Sequence, residues 1–172
     1  MSRLRLAAAA AVWLLAACDP VTGSGSGHVP DAHRFLTVDA ASRSAVLTLI
    51  GGYPATDIQF NYNGYRNGEL VVTIPVGWTL DVQCENRGTV ANSCAIVTSA
   101  SATAPARPGW SSPEPRTGIP PGASASFEAI PDAPGHYRIA SLVPGQESAG
   151  MWARLEIVAS GMPSISGFSA GG

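Results

Sequence analysis

The stretch VPGQESAGMWARLEIV, residues 143–158, joins a turn-rich segment to a run in which apolar and polar side chains alternate. The apolar set of that run shares one parity and comprises Met151, Ala153, Leu155 and Ile157. Successive side chains of a β-strand point to opposite faces, so this period of two predicts a strand with one buried face. The residues before it, rich in Gly, Pro and Ser, predict the loop that leads into the strand.

Six further segments are short and rich in β-branched or apolar residues, which is typical of strands bounded by turns. They are Ser44–Ile50, Glu69–Pro75, Trp78–Glu85, Ser93–Thr98, Ala125–Ile130 and His136–Ser141. No segment has a convincing helical stripe, and seven to eight short strands predict an all-β sandwich. One connection, residues 99–123, is long and rich in proline, and we expect Trp110 to pin it to the sandwich.

The first 17 residues read as a lipoprotein signal peptide. Arg3 and Arg5 precede an apolar run, Leu6 to Ala17, that is too short to span about 30 Å of hydrocarbon. The sequence LAAC at 15–18 resembles the bacterial lipobox, which predicts lipidation of Cys18. The alternative is an ordinary signal peptide that ends near a cysteine. Lipidation predicts a protein anchored to a bacterial membrane, on its periplasmic or cell-surface side.

The remaining chain divides into three parts by composition. Residues 18–33 form a tether that includes the Gly/Ser stretch VTGSGSG, residues 34–158 form one domain, and residues 159–172 form a flexible tail. With ten arginines, no lysine and twelve acidic residues, the chain has a formal charge of −2. That balance gives no electrostatic case for binding nucleic acid.

Cys84 and Cys94 are the two cysteines left beyond the proposed anchor. Cys84 shares the parity of Leu80 and Val82, and Cys94 shares that of Ile96, so both sulfurs are expected to point into the core. A disulfide between them suits an oxidising compartment. Two free buried thiols, or a new metal site that uses them, are the alternatives.

Two segments carry a family resemblance. FNYNGYRNGELVVTIPVGWTLDV, residues 60–82, and VPGQESAGMWARLEIV resemble sulfocyanin, a blue-copper protein of the cupredoxin fold, over roughly Ala45 to Val158. The resemblance implies a Greek-key β-sandwich of cupredoxin type. It also implies one copper ion held by two histidines, a cysteine and a weakly bound axial methionine.

The resemblance fails at three of the four copper ligands. In the family, the first histidine follows an N-x-G turn and precedes a serine, and here Asn92 occupies its position. The family loop Cys-x4-His-x4-Met reads Ser141, Gln146 and Met151 in this chain. Hydroxyl and amide oxygens are poor ligands for copper, which favours thiolate and imidazole. We therefore expect no type 1 copper, and copper remains the family cofactor rather than one predicted here.

The histidines do not restore the site. His28 and His33 lie in the tether, and His136 begins the strand that leads to Ser141. Five residues of strand place His136 roughly 16 Å from Ser141 and on the opposite face. Ser141 also lacks a histidine that would activate it as a nucleophile, and the acidic residues are scattered singly, so we expect no enzymatic activity.

Four aromatic residues invite a functional interpretation. Tyr62, Tyr65 and Trp78 are assigned to turn packing and core rather than to a ligand platform. Trp152, beside the former metal loop, is either structural or part of an apolar contact patch.

The favoured function is a membrane-anchored, sulfocyanin-like domain that has lost copper. It would act as a binding or structural module, with a protein partner in a respiratory or copper-handling complex. The alternative is a copper-binding electron-transfer protein with an atypical site formed by Asn92, Ser141, Gln146 and Met151.

Overall fold

A computed structural model describes residues 30–53 and 58–168, so the signal peptide, Cys18, His28 and most of the tether lie outside the described residues. Within these ranges a 3-10 helix at Ala32–Phe35 precedes nine strands. The strands are β1 (Leu36–Asp39), β2 (Ser44–Gly51), β3 (Leu70–Pro75), β4 (Thr79–Asn86), β5 (Ala95–Val97), β6 (Ser124–Ala129), β7 (Gly135–Ala140), β8 (Trp152–Val158) and β9 (Ser164–Gly167). Across the same ranges, no helix has the length and apolar character needed to cross a bilayer.

The strands form two sheets that enclose one core. The first sheet has the order β1-β2-β4-β6, and the second has the order β5-β7-β8-β3-β9. Pairing is parallel between β2 and β4 and between β3 and β8, and antiparallel elsewhere. The alternating apolar side chains that predicted β8 are all buried, as is the matching set of β4. Each such Leu, Ile or Val stabilises the fold by about 1.5–3 kcal/mol relative to its exposed state. The predicted all-β sandwich is confirmed.

Both ends of the domain extend beyond the predicted boundaries. Ala32 is buried, and the Tyr65 hydroxyl donates a 2.7 Å hydrogen bond to the Pro30 carbonyl, so the folded part begins before residue 34. At the other end, the expectation of a flexible segment over 159–172 is corrected for residues 164–167. These form β9, which pairs with β3 and buries Ile165. The strand count therefore rises from seven or eight to nine.

The long connection between β5 and β6 is an ordered cover for the edge of β5. Ile96 donates a backbone hydrogen bond of 2.9 Å to Trp110, and Ala106 donates one of 2.7 Å to Ile96. Trp110 is buried and meets Tyr137 edge-on, with ring centroids 6.2 Å apart. The predicted role of Trp110 in pinning this loop is confirmed. The cover also satisfies β5 backbone groups that an open edge would expose.

A disulfide joins the two sheets. Cys84 lies in β4, Cys94 immediately precedes β5, and their Cα atoms are 6.3 Å apart. Both residues are buried, as their parity predicted. The bond confirms the favoured interpretation of this pair over free thiols or a metal site.

Candidate functional site

The loop between β7 and β8 brings three of the four candidate residues into the interior. Ser141, Gln146 and Met151 are 1%, 4% and 1% exposed. The backbone closes the loop on itself, because Ser141 N–H donates to Met151 O at 3.2 Å and Met151 N–H donates to Gln146 O at 2.9 Å. The five-residue spacing seen in the sequence is therefore the spacing of one compact loop that turns these three side chains inward and exposes Pro144, Gly145 and Ser148.

Asn92, the fourth candidate, comes from the connection between β4 and β5. Its backbone exchanges hydrogen bonds of 3.1 and 2.6 Å with Ile119, which belongs to the proline-rich cover. Its side chain lies against Gly51, where an added Cβ would stand 2.5 Å from Asn92 Nδ2. Only glycine leaves room for the amide at this point, since real Cβ atoms do not approach so closely.

A hydrogen-bonded cluster joins the two loops. Ser141 Oγ donates to Gln146 Oε1 at 2.7 Å and accepts from Ser93 N–H at 3.1 Å. Gln146 Nε2 donates to Ala91 O at 2.7 Å, and Leu142 N–H donates to Ser93 Oγ at 2.9 Å. Because the single hydroxyl proton of Ser141 goes to Gln146, the Ser93 hydroxyl is the donor across the 3.3 Å to Ser141 Oγ. The cluster satisfies both serine hydroxyls without a metal ion.

Tyr62 supports this cluster from the core. It is 1% exposed, and its hydroxyl donates to Ser93 O. Burial raises the pKa of Tyr62 well above its ordinary value of 10.0, and the negative charge of Glu147 acts in the same direction. Tyr62 is therefore a neutral hydrogen-bond donor. Tyr62, Tyr65 and Trp78 are all buried, which confirms the assignment of these rings to the core.

A second set of contacts fixes the outer side of the loop. Glu147 Oε1 accepts from Arg138 Nη1 at 2.9 Å, and Glu147 Oε2 accepts from Ser101 N–H at 2.8 Å. The Arg138 guanidinium lies 3.8 Å from the ring centroid of Trp152, a cation–π arrangement. Gly68 packs closely against the indole of Trp152, because a Cβ added to Gly68 would stand 2.4 Å from Trp152 Cζ3. Trp152 thus lies half-buried between Gly68 and Arg138, where it has a packing role and leaves part of its ring at the surface.

Sequence reasoning missed Ser93, Arg138 and Glu147. Ser93 had a usable signal, because in the family a serine follows the first histidine position. The Arg138–Glu147 pair had none, since an ion pair between a strand and the next loop depends on side-chain directions that spacing does not reveal.

The β-sandwich, with these four positions on two loops at one end, defines a protein of the cupredoxin class. The sulfocyanin (SoxE) domain family matches residues 31–165, and the chain belongs to this family.

Solved structures agree with this fold. Rusticyanin from Thiobacillus ferrooxidans is 19% identical, with 72% of this chain and 86% of that chain covered and a TM-score of 0.50. A rusticyanin variant is 18% identical over the same shares, with a TM-score of 0.53. A second variant is also 18% identical, covering 72% of this chain and 87% of that chain, with a TM-score of 0.53. No functionally curated protein matches the chain.

The side chains present do not fit a blue-copper centre. Such a centre uses a thiolate and two imidazoles, whereas the loop positions supply a hydroxyl, two amides and a thioether. Cys84 and Cys94 are bonded to each other, and His136 points outward, with its side chain 90% exposed and paired with Glu156. Within residues 30–53 and 58–168, no three or more His, Cys, Asp or Glu side chains group as a metal site.

Proposed function

We propose that this member of the sulfocyanin family has lost type 1 copper and serves as a binding or structural module. One observation carries the proposal: Ser141 Oγ donates to Gln146 Oε1 at 2.7 Å, so two former ligand positions are bonded to each other. A side chain committed to its neighbour in a buried site is not free to bind a metal ion. The proposal assigns no catalytic step to any residue.

The hydrogen bonds explain how the loop keeps its shape without a metal. In a blue-copper protein, the ion cross-links the upstream ligand to the terminal loop. In this chain, Ser93 N–H and Gln146 Nε2 make that connection, bonding Ser141 and Ala91 respectively. Each buried hydrogen bond contributes about 0.5–1.5 kcal/mol, and leaving either partner unsatisfied would cost more. The surface formed by the loop is thereby preserved and remains available to a partner.

The location belongs to the same proposal. Cys18 and the apolar run before it support lipid anchoring on the periplasmic or cell-surface side of a bacterial membrane. The disulfide between Cys84 and Cys94 supports an oxidising compartment. We place the partner in a respiratory or copper-handling complex, because the family to which the chain belongs consists of electron-transfer copper proteins.

Metal analysis tests the loss of copper. The purified protein is equilibrated with Cu(II), freed of excess metal by gel filtration, and assayed for bound copper against a Met151→Leu variant. The proposal expects less than stoichiometric copper, equal in both proteins. Stoichiometric copper that depends on Met151 would contradict it and favour the alternative, an electron-transfer protein with an atypical site.

The anchor is tested separately. Cells that express the full chain are labelled with radioactive palmitate, alongside a Cys18→Ser variant. Label on the native chain and none on the variant is expected. Label that survives in the variant would contradict lipidation at Cys18.

A further inference from the structure

A groove lies beside the former metal loop, where this loop meets the start of the proline-rich cover. Its volume is about 480 Å³. The polar residues that line it include Ser101, Thr103, Arg116, Arg138 and Glu147. Of the four candidate residues Asn92, Ser141, Gln146 and Met151, Ser141 alone contributes to the wall of the groove.

The groove has a net positive charge, whereas the protein as a whole has a net negative charge. The whole chain has a formal charge of −2, whereas the groove carries two guanidinium groups and one carboxylate. Arg138 and Glu147 form an ion pair, with side chains 29% and 12% exposed. The exposed Arg116 forms no ion pair or side-chain hydrogen bond with any residue in the part of the chain that the structure describes.

The guanidinium groups retain donors for an incoming ligand. Glu147 engages Nη1 of Arg138, and a guanidinium has five N–H donors in a planar fork that matches a carboxylate. Stacking on Trp152 holds this fork in one orientation, so little freedom remains to be lost on binding. Arg116 adds a second cation whose charge no neighbour in the described chain neutralises.

We propose that this groove binds an acidic segment of a partner protein, with carboxylates contacting Arg116 and the free donors of Arg138. The inference rests on the proposed function as a binding module and names its surface and the chemistry of its partner. Nucleic acid and anionic lipid fit less well, because dense phosphate would meet a single unpaired cation and be repelled by Glu147. An acidic polypeptide carries separated carboxylates with amide N–H groups between them, to which Ser101, Thr103 and Glu147 offer oxygen acceptors.

Fluorescence anisotropy with labelled peptides tests this surface on the purified protein. One peptide is rich in glutamate, and a second of equal length carries glutamine in its place. We expect only the glutamate peptide to bind, with an affinity that falls as salt rises. Arg116→Gln should weaken this binding by about fivefold, the range of one exposed charge pair. Arg34→Gln, which removes the same charge from an exposed site outside the groove, should leave binding unchanged.

Three outcomes would overturn the proposal. If Arg116→Gln and Arg34→Gln weakened peptide binding equally, the peptide would be attracted by the overall charge of the protein and not by the groove. Equal binding of the glutamine peptide would exclude carboxylate recognition, and free citrate binding as tightly as the peptide, in an Arg116-dependent manner, would define a small-anion site instead. Thermal unfolding midpoints of both variants that match that of the native protein would show that any loss of binding is not caused by unfolding. Copper binding by the native protein would contradict the proposed function but would not change the peptide-binding results. Conversely, a groove that binds no peptide would contradict this inference but not the proposed loss of copper.

Discussion

Ser141 and Gln146, which the resemblance to sulfocyanin assigns to the cysteine and histidine positions of the copper loop, are joined by a 2.7 Å hydrogen bond from Ser141 Oγ to Gln146 Oε1. The amide of Gln146 then reaches Ala91, one residue before Asn92. The two side chains are therefore matched to each other, since a donor stands at position 141 and its acceptor at position 146. Without this match, buried polar groups of the loop would remain unpaired.

Removal of the Gln146 amide should destabilise the fold. Gln146→Ala leaves the Ser141 hydroxyl without its acceptor and Ala91 O without its donor, which we expect to lower the free energy of unfolding by about 1–3 kcal/mol. Urea unfolding followed by circular dichroism measures the change. Gln83→Ala, on the exposed face of β4, is the matched control and should be neutral. Equal midpoints for the two variants would show that the cluster does not support the loop.

The contact between Gly51 and Asn92 predicts a coupled pair of substitutions. Gly51→Ala places a Cβ 2.5 Å from Asn92 Nδ2, which we expect to cost about 1–3 kcal/mol of unfolding free energy. In the Gly51→Ala/Asn92→Ala double variant the clash is removed, so the two costs should not add. A double-mutant cycle from urea unfolding gives the coupling energy. Strict additivity would place the Asn92 side chain away from Gly51.

Tyr62 predicts a stability that falls at alkaline pH. Burial raises the pKa of Tyr62 in the folded state, so its contribution is fully present below the unfolded-state pKa of about 10 and is lost as pH rises above it. Tyr62→Phe removes the donor to Ser93 O and should lower stability at neutral pH by about 1–3 kcal/mol. The difference between native protein and variant should narrow above pH about 10. A difference that stays constant or widens would contradict the buried, neutral phenol.

The disulfide should contribute strongly to stability. Replacing both Cys84 and Cys94 with alanine is expected to lower the free energy of unfolding by about 2–4 kcal/mol, because the bond restricts the unfolded chain. A reducing agent should lower the urea midpoint of the native protein and leave that of the variant unchanged. Thiol labelling of denatured, unreduced protein, mapped to peptides, provides the independent check. Reactive thiols at both positions would show that the bond does not form.

The sequence predicted the seven strands whose side chains alternate strongly or form buried apolar runs. It did not predict β1 or β9, since both are four-residue edge strands that depend on a neighbour to pair. Ile165 is the only residue of β9 that is buried, and one apolar residue sets no period. These segments become strands because β2 presents a free edge to β1 and β3 presents one to β9, and a free edge is a property of the assembled sheet.

The sequence suggested four positions for the candidate site but not the hydrogen bonds around them. The resemblance to sulfocyanin pointed to Asn92, Ser141, Gln146 and Met151, and the structure buries all four, but the sequence did not reveal which hydrogen bonds hold them. The bond from Ser93 to Ser141 spans 48 residues of sequence and appears only when two loops meet at one end of the sandwich. The ion pair of Arg138 with Glu147 depends likewise on the direction in which a strand side chain leaves the sheet.

The visible absorption spectrum after addition of Cu(II) directly tests whether the protein has lost type 1 copper. It is recorded for the native protein and for the Asn92→His/Ser141→Cys/Gln146→His variant, in which Met151 remains. We predict no copper–thiolate charge-transfer band for the native protein and an intense blue band for the variant, whose loops retain the spacing of the family site. An intense blue band from the native protein at stoichiometric copper would contradict the proposed loss of copper.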